Sequence, residues 1–161
     1  MSKSFDKNKT RQAMDGYKKE INERKQKLEE LSESKQELLD ARSAIEGLGL
    51  DEDVKDTIIS SLISSLENVR SEGKAESSKL DDTTKKYDDT KMEIMDAESE
   101  TEKSIDSLSK KSSVLEKIGI NVLDESREQA EKSLQELREM REESTDDISE
   151  LLKLGQDLDS L

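Results

Sequence analysis

The chain has 161 residues, of which 29% are hydrophobic, 2% aromatic and 42% charged, and it contains neither proline nor cysteine. Such a composition can line seams between helices but cannot fill a large globular core. The net charge of −14 opposes binding to a phosphate backbone, and Phe5, Tyr17 and Tyr87 offer few rings for base stacking. We therefore expect no nucleic-acid partner, and an anionic membrane should repel the chain.

Membrane insertion is not expected, because no stretch approaches the roughly 20 apolar residues that a membrane span needs. Residues 1–11 are polar and lack the apolar segment of a signal peptide. The sequence thus predicts a cytoplasmic protein without stable membrane insertion. Export by a route that needs no cleaved signal stays an open alternative.

The first predicted helix covers residues 4–46, because its apolar residues recur at spacings of three and four. These spacings place on one stripe Met14, Tyr17, Ile21, Leu28, Leu31, Leu38 and Ile45. Arg24, Lys35 and Arg42 share the stripe, where they should weaken the packing and help to fix its register. The segment from Gly47 to Leu50 should end the helix, and Asp51 is placed to cap the next one.

The second predicted helix covers residues 51–118 and carries the most regular repeat. Every seventh position belongs to this series: Ile59, Leu66, Gly73, Leu80, Tyr87, Ile94, Thr101, Leu108 and Leu115. So sustained a period favours an ordered helix over disorder. The companion positions change from Leu62 and Val69 to polar residues such as Glu76 and Thr83, which predicts weak packing in the middle. Gly73 costs about 1 kcal/mol inside a helix and marks the expected bend or break.

The third predicted helix covers residues 124–158. It follows a connector from Gly119 to Leu123, and Ser126 to Gln129 has the pattern of a capping box. Short connectors make sequential helices antiparallel neighbours. We therefore expect an all-α fold: a single elongated module, 1–161, formed as an antiparallel coiled coil or helical bundle of three long helices.

An internal duplication is one interpretation of the two connectors. The segment from Ser43 to Leu50 aligns with that from Ser113 to Ile120 at an offset of 70 residues, which is ten heptads. The units would then be residues 1–72 and 73–161. The alternative is chance, since heptad sequences match one another easily.

No catalytic residue, cofactor site or metal site is predicted, and we expect that the protein is not an enzyme and has no small-molecule substrate. Histidine, cysteine and tryptophan are absent, so few groups suit proton transfer or nucleophilic attack. Carboxylate pairs such as Asp51 with Asp53 lack the glycine-containing loop of an EF-hand and suit a solvated surface. Tyr17 and Tyr87 are expected to pack in the seams with their hydroxyl groups in water.

The helix, glycine turn and helix of residues 1–72 resemble the leaderless helical proteins, and the N-terminal helical toxin regions, of Gram-positive type VII secretion systems. The turn reads Gly47-Leu48-Gly49-Leu50 where that family has Trp-x-Gly or Leu-x-Gly. Tyr17 is followed four residues later by Ile21, and not by the acidic residue of the family's export signal. The resemblance therefore implies export with a helical partner, and it assigns no functional residue.

The candidate partner interface lies on the second helix, where the apolar side is broader than a two-stranded seam needs. It consists of Val54, Ile58, Ile59, Leu62, Ile63, Leu66 and Val69. These residues predict a protein–protein interaction module that binds a helical protein or associates with itself, such as a type VII secretion adaptor or a toxin-targeting region. Two alternatives remain: helices one and three cover the residues internally, or the chain is a structural coiled-coil spacer in a larger assembly.

Overall fold

The computed structural model describes residues 5–161, which form three α-helices and no strand. Helix α1 spans Lys7–Glu46, α2 spans Glu52–Glu116 and α3 spans Asp124–Asp159. The helices contact one another as a helical bundle, so the predicted all-α class is confirmed. Ser4, the predicted start of the first helix, lies outside the described residues.

Local hydrogen bonds explain where the helices begin. Asp6 caps α1, because its carboxylate accepts the backbone N–H of Lys9 at 3.2 Å. The Asp51 carbonyl accepts the N–H of Lys55 at 2.9 Å, which confirms Asp51 at the N-cap of α2. The predicted capping box is wrong, because α3 already begins at Asp124, and Ser126 lies within its first turn.

Gly119 ends α2 in the left-handed conformation that glycine adopts most easily, with φ at +80°. The N–H of Ile120 bonds to the carbonyl of Leu115, and the N–H of Gly119 bonds to that of Glu116, both at 3.0 Å. These two bonds form a Schellman motif, which satisfies carbonyls that the helix leaves without partners. The connector predicted at Gly119 therefore has a defined helix-ending geometry.

The chain forms two compact units, and all three helices contribute to both. The first unit combines the chain up to Asp15 with Lys86–Ile148, and the second combines Gly16–Lys85 with Ser149–Leu161. The boundary between the two units within α2 falls after Lys85.

In the first unit, α2 and α3 are antiparallel neighbours. Their side chains pair in opposite order along the two helices: Tyr87 with Asp147, Glu98 with Arg141, Glu102 with Arg138 and Ser112 with Asp124. Lys7 of α1 pairs with Glu136 of α3. The core includes Met14, Ile94, Leu134, Leu137 and Met140, all buried.

In the second unit, α1 and α2 are antiparallel. The pairs that show this are Glu20 with Thr83, Arg24 with Glu76 and Lys27 with Glu72. Arg24, which the heptad placed on the packing stripe, lies 2.9 Å from the Glu76 carboxylate. A basic residue on the stripe is therefore paired with an acidic companion residue of α2.

Gly73 lies inside an uninterrupted α2, so of the expected bend or break the helix shows no break. A Cβ atom added there would lie 2.6 Å from the carbonyl oxygen of Leu158 and 2.9 Å from Cδ1 of Leu161. Real Cβ contacts are essentially never so short. The absence of a side chain at Gly73 therefore lets the end of α3 approach α2 closely. Helix propensity is a property of one helix and does not predict this contact between two helices.

Two polar companion positions of α2, Thr83 and Thr90, are buried in spite of their polarity. The Thr90 hydroxyl donates to the carbonyl of Lys86 at 3.0 Å. On α3, the fully buried Ser144 donates in the same way to the carbonyl of Met140 at 2.8 Å. The buried hydroxyl groups therefore find hydrogen-bond acceptors on their own helix. Small polar residues can for this reason occupy the seam between helices.

Candidate partner-binding face

The candidate face belongs to the second unit and occupies the N-terminal quarter of α2. At about 100° per residue, its seven residues cover an arc of about half the helix circumference. Val54 and Ile63 lie at the two edges of this arc, and Leu62 lies near its centre. We call this arc, Val54 to Val69, the apolar arc.

The residues of the apolar arc differ in their exposure. Val69 is buried, whereas Val54 and Ile63 are exposed at 48% and 39%. The four others are half-buried: Ile58, Ile59, Leu62 and Leu66. Large aliphatic side chains thus remain accessible at both edges while the centre is partly covered.

The helices next to the apolar arc explain this gradient. The turn at Gly47 to Leu50 and the pair of Lys27 with Glu72 hold α1 antiparallel to this part of α2. Helix α3 ends at Asp159, and its last turn meets α2 at Gly73. From Gly73, α2 continues to Glu52 over about 30 Å. Within residues 5–161, α1 is therefore the helix that packs along this stretch.

Most of the segment that carries the apolar arc is free of charge, although the half-buried Lys55 lies within the arc. No charged residue occurs from Thr57 to Leu66, although 42% of the chain is charged. The serines of this segment are Ser60, Ser61, Ser64 and Ser65, which are short and let another helix approach closely. A partner helix would therefore not have to strip water from ionised groups in this segment.

The two interhelical turns carry exposed aliphatic residues that the sequence analysis treated only as helix stops. At the first turn these are Leu48 and Leu50. At the second turn they are Ile118, Ile120 and Val122, and Val114 lies in the last turn of α2. A turn needs glycine and polar residues but not exposed valine or isoleucine. The aliphatic residues in these segments were therefore the sequence feature that could have indicated an exposed apolar surface.

Within residues 5–161, no group of three or more His, Cys, Asp or Glu side chains is arranged to hold a metal ion. In the same range, no helix is both long enough and apolar enough to cross a membrane. Glu136 stands out, because its hydrogen bond and charge interaction with Lys7 lower the pKa of its carboxyl group.

This shifted pKa predicts a pH dependence of stability. A lowered folded-state pKa stabilises the fold above the unfolded value, and the contribution is lost as the pH falls through the folded value. We expect Glu136→Gln to unfold more easily than the wild type at pH 7. The difference should shrink below the ordinary carboxyl value of 4.5. Urea unfolding at pH 7 and pH 3 measures it, and an equal difference at both values would contradict the assignment.

The comparisons with known proteins give no relative from which a function could be inferred. No protein-family model, no curated protein and no solved structure matches the chain.

Proposed function

We propose that this chain is a non-catalytic protein–protein interaction module whose apolar arc binds a helix of another protein. One observation carries the proposal: the arc covers about half of the circumference of α2, and α1 is the helix that packs along it. A two-stranded seam needs a narrower stripe. Val54 and Ile63 are exposed at the two opposite edges of the arc, on either side of its partly covered centre, and are the residues that helices of a partner would cover.

Binding at this face would follow the helix-in-groove mode. In that mode an amphipathic helix places apolar anchors against a hydrophobic surface. Ile58, Leu62 and Leu66 recur every fourth residue and form a ridge, and Ser61 and Ser65 lie beside it at the same spacing. Ridges of this kind pack between those of a neighbouring helix. The partner is therefore a helical protein with an apolar stripe.

The biological setting that we propose is type VII secretion, as an adaptor or a toxin-targeting region that is made in the cytoplasm. Support comes from the helix, glycine turn and helix plan of residues 1–72, with its turn at Gly47 to Leu50. Neighbouring genes for type VII secretion components would strengthen this assignment. Their absence would leave the binding face without this setting.

The test replaces the exposed edges of the arc with charge. Val54→Glu with Ile63→Glu should weaken binding of a helical partner about tenfold or more, because a carboxylate would have to be desolvated in the interface. Affinity capture from the native cell with mass spectrometry identifies the partner. Titration of the purified partner against the wild type and the variant then measures the loss.

The matched control is Ser60→Glu with Ser64→Glu, which adds the same charge to the same segment but on the opposite, exposed side of α2. This control should capture the partner as the wild type does. Substitution of Leu62 and Leu66 by Glu is less selective, because both are half-buried and their loss should unfold the α1–α2 pair. Unchanged capture by the Val54 and Ile63 variant would refute the proposed face.

A structural spacer is the second candidate function, and the uninterrupted α2 favours it. It is a single helix of 65 residues. A spacer would hold its partners apart by contacts near its ends and would not depend on the apolar arc. Capture that is indifferent to the Val54 and Ile63 variant would therefore favour this function.

A further inference from the structure

The end of α3 lies in a groove between α1 and α2 of the second unit. The apolar stripe that it places there consists of Leu151, Leu154 and Leu158, all buried. Three pairs of neighbouring residues locate the walls of the groove: Ser77 with Gly155, Gly73 with Leu158, and Lys25 with Glu150. The walls that contact α3 are therefore marked by Ser77 and Gly73 on α2 and by Lys25 on α1.

The same walls continue beyond the end of α3. Because α1 and α2 are antiparallel, the direction away from α3 runs down the numbering of α2 and up the numbering of α1. Residues a whole number of heptads apart keep the same face of a packed helix. Two heptads from Ser77 is Ile63, and two heptads from Lys25 is Leu39. These two side chains, 39% and 37% exposed, therefore lie on the walls of a continued groove.

The burial of the residues between α1 and α2 falls where α3 ends. Leu31 and Val69 lie near that level and are 4% and 8% exposed. One heptad farther along each helix, Leu38 and Leu62 are only half-buried. All four residues are aliphatic, and the change occurs on both helices. It therefore follows from the end of α3 and not from a change in residue type.

We call this continuation, with Leu39 and Ile63 on its walls, the open groove. It runs along α2 from Gly73 to Glu52, which is about 30 Å, the length of a helix of about 20 residues. The end of α3 fills its own part of the groove with leucines at spacings of three and four. An occupant that continues the path of α3 needs the same apolar spacing.

The charge around the open groove specifies the occupant further. Residues 27–72, which form both helices at this level, contain 12 acidic and 5 basic residues, a net charge of −7. Two of the basic residues are paired within the unit: Lys27 with Glu72 and Arg42 with Glu46. A second copy of the chain would bring the same negative charge to the contact, whereas a basic helix would be attracted.

Carboxylates occupy the walls at the end of the open groove near the first turn. The residues three heptads from Lys25, Gly73 and Ser77 are Glu46, Glu52 and Asp56, all exposed. At the other end, Arg70 lies one heptad from Ser77 on the α2 wall. The attraction for a basic partner is therefore strongest beside the turn.

We propose that the open groove binds a basic amphipathic helix of another protein, which continues the path of α3 between α1 and α2. This inference rests on the proposed function and specifies the position and the charge of the partner helix. Apolar residues of the partner pack against Leu39 and Ile63, and its basic residues face Glu46, Glu52 and Asp56. Leu39 belongs to α1 and lies outside the apolar arc, so the arc alone does not predict its contact.

The probe is a synthetic helix of about 21 residues, with leucines at spacings of three and four and lysines at the flanking positions. Its matched control carries glutamate in place of every lysine. Fluorescence anisotropy of each labelled peptide, titrated with the whole chain at about 0.15 M salt, measures binding. The lysine peptide should bind at least about tenfold more tightly than the glutamate peptide. A lysine peptide that does not bind, or that binds no better than the control, would overturn the proposal.

Two single variants locate the bound peptide. Leu39→Glu adds a carboxylate to the α1 wall of the open groove, and Val54→Glu adds one at the opposite edge of the apolar arc. Both positions are exposed, so both variants should keep the wild-type circular dichroism spectrum. Leu39→Glu should weaken binding of the lysine peptide about tenfold, whereas Val54→Glu should leave it unchanged. General attraction to an acidic surface would not be weakened by either added carboxylate.

The same variants separate this inference from the proposed function. If Val54→Glu weakens binding and Leu39→Glu does not, the partner helix lies at the other edge of the arc, which overturns the open groove and leaves the proposed function standing. Sedimentation equilibrium of the chain alone tests a second copy as the occupant. A mass above the monomer value of 18.2 kDa that Leu39→Glu abolishes would overturn the assignment to another protein.

Discussion

Replacing Tyr87 by alanine is expected to lower the free energy of unfolding by about 3 to 5 kcal/mol, the range for removing a large buried aromatic side chain. The Tyr87 side chain is fully buried, and its hydroxyl donates to Oδ2 of Asp147 at 2.6 Å. The variant would leave a cavity between α2 and α3 and would remove this hydrogen bond. Urea unfolding followed by circular dichroism measures the loss.

Two further variants separate packing from hydrogen bonding. Tyr87→Phe keeps the ring and removes the hydroxyl, so its cost should be about 0.5 to 1.5 kcal/mol. Tyr17→Ala provides the matched control, because Tyr17 occupies the equivalent stripe of α1 but is only half-buried. Its loss should be clearly smaller than that of Tyr87→Ala. Equal losses for the two alanine variants would show that Tyr87 is not the stronger anchor.

Replacing Gly73 by alanine is expected to destabilise the second unit by roughly 1 to 3 kcal/mol, in opposition to helix propensity. In an exposed helix the same change stabilises by about 1 kcal/mol. At Gly73 the new methyl group would meet the Leu158 carbonyl oxygen at 2.6 Å, so the end of α3 has to move away from α2. Thermal unfolding gives the sign, and hydrogen exchange locates the displaced helix end.

Gly16→Ala is the control for Gly73→Ala. Gly16 lies within α1, is exposed and has nothing within 4 Å of an added Cβ atom. Its replacement should therefore stabilise the protein by roughly 0.5 to 1 kcal/mol. The two substitutions should change the free energy of unfolding in opposite directions and differ by about 1.5 to 4 kcal/mol. Stabilisation by both would mean that α3 does not pack closely at Gly73.

The seven-residue period predicted the helical class and much of the buried stripe, because burial of one helix face requires that spacing. Leu80, Tyr87 and Ile94 are buried as their positions in the series require. The period could not predict the role of Gly73, since helix propensity is local and the Leu158 carbonyl belongs to another helix. For the same reason the period could not predict that the Tyr87 hydroxyl donates to Asp147. We had expected this hydroxyl group to lie in water.

The candidate site was less predictable than the fold. The width of the apolar arc can be counted from the sequence, but the exposure of each residue depends on where α3 ends. Val69 is buried and lies one turn from Gly73, where α3 packs, whereas Val54 is exposed well beyond that point. The exposed aliphatic residues at the two interhelical turns were missed because the glycines explained these segments as helix stops, and their side chains were not considered as a surface.

The Schellman turn at Gly119 has a consequence for the order in which contacts between α2 and α3 form during folding. The pair of Ser112 with Asp124 closes a loop of 12 residues, whereas Tyr87 with Asp147 closes one of 60. Loop-closure entropy makes the longer closure costlier by about 1.4 kcal/mol when it forms alone. Once the short loop exists, each later pair closes only the few residues added since the last. Contacts between the two helices can therefore form in sequence from the turn outward. The fully buried Tyr87 then packs between helices that earlier contacts already hold close together.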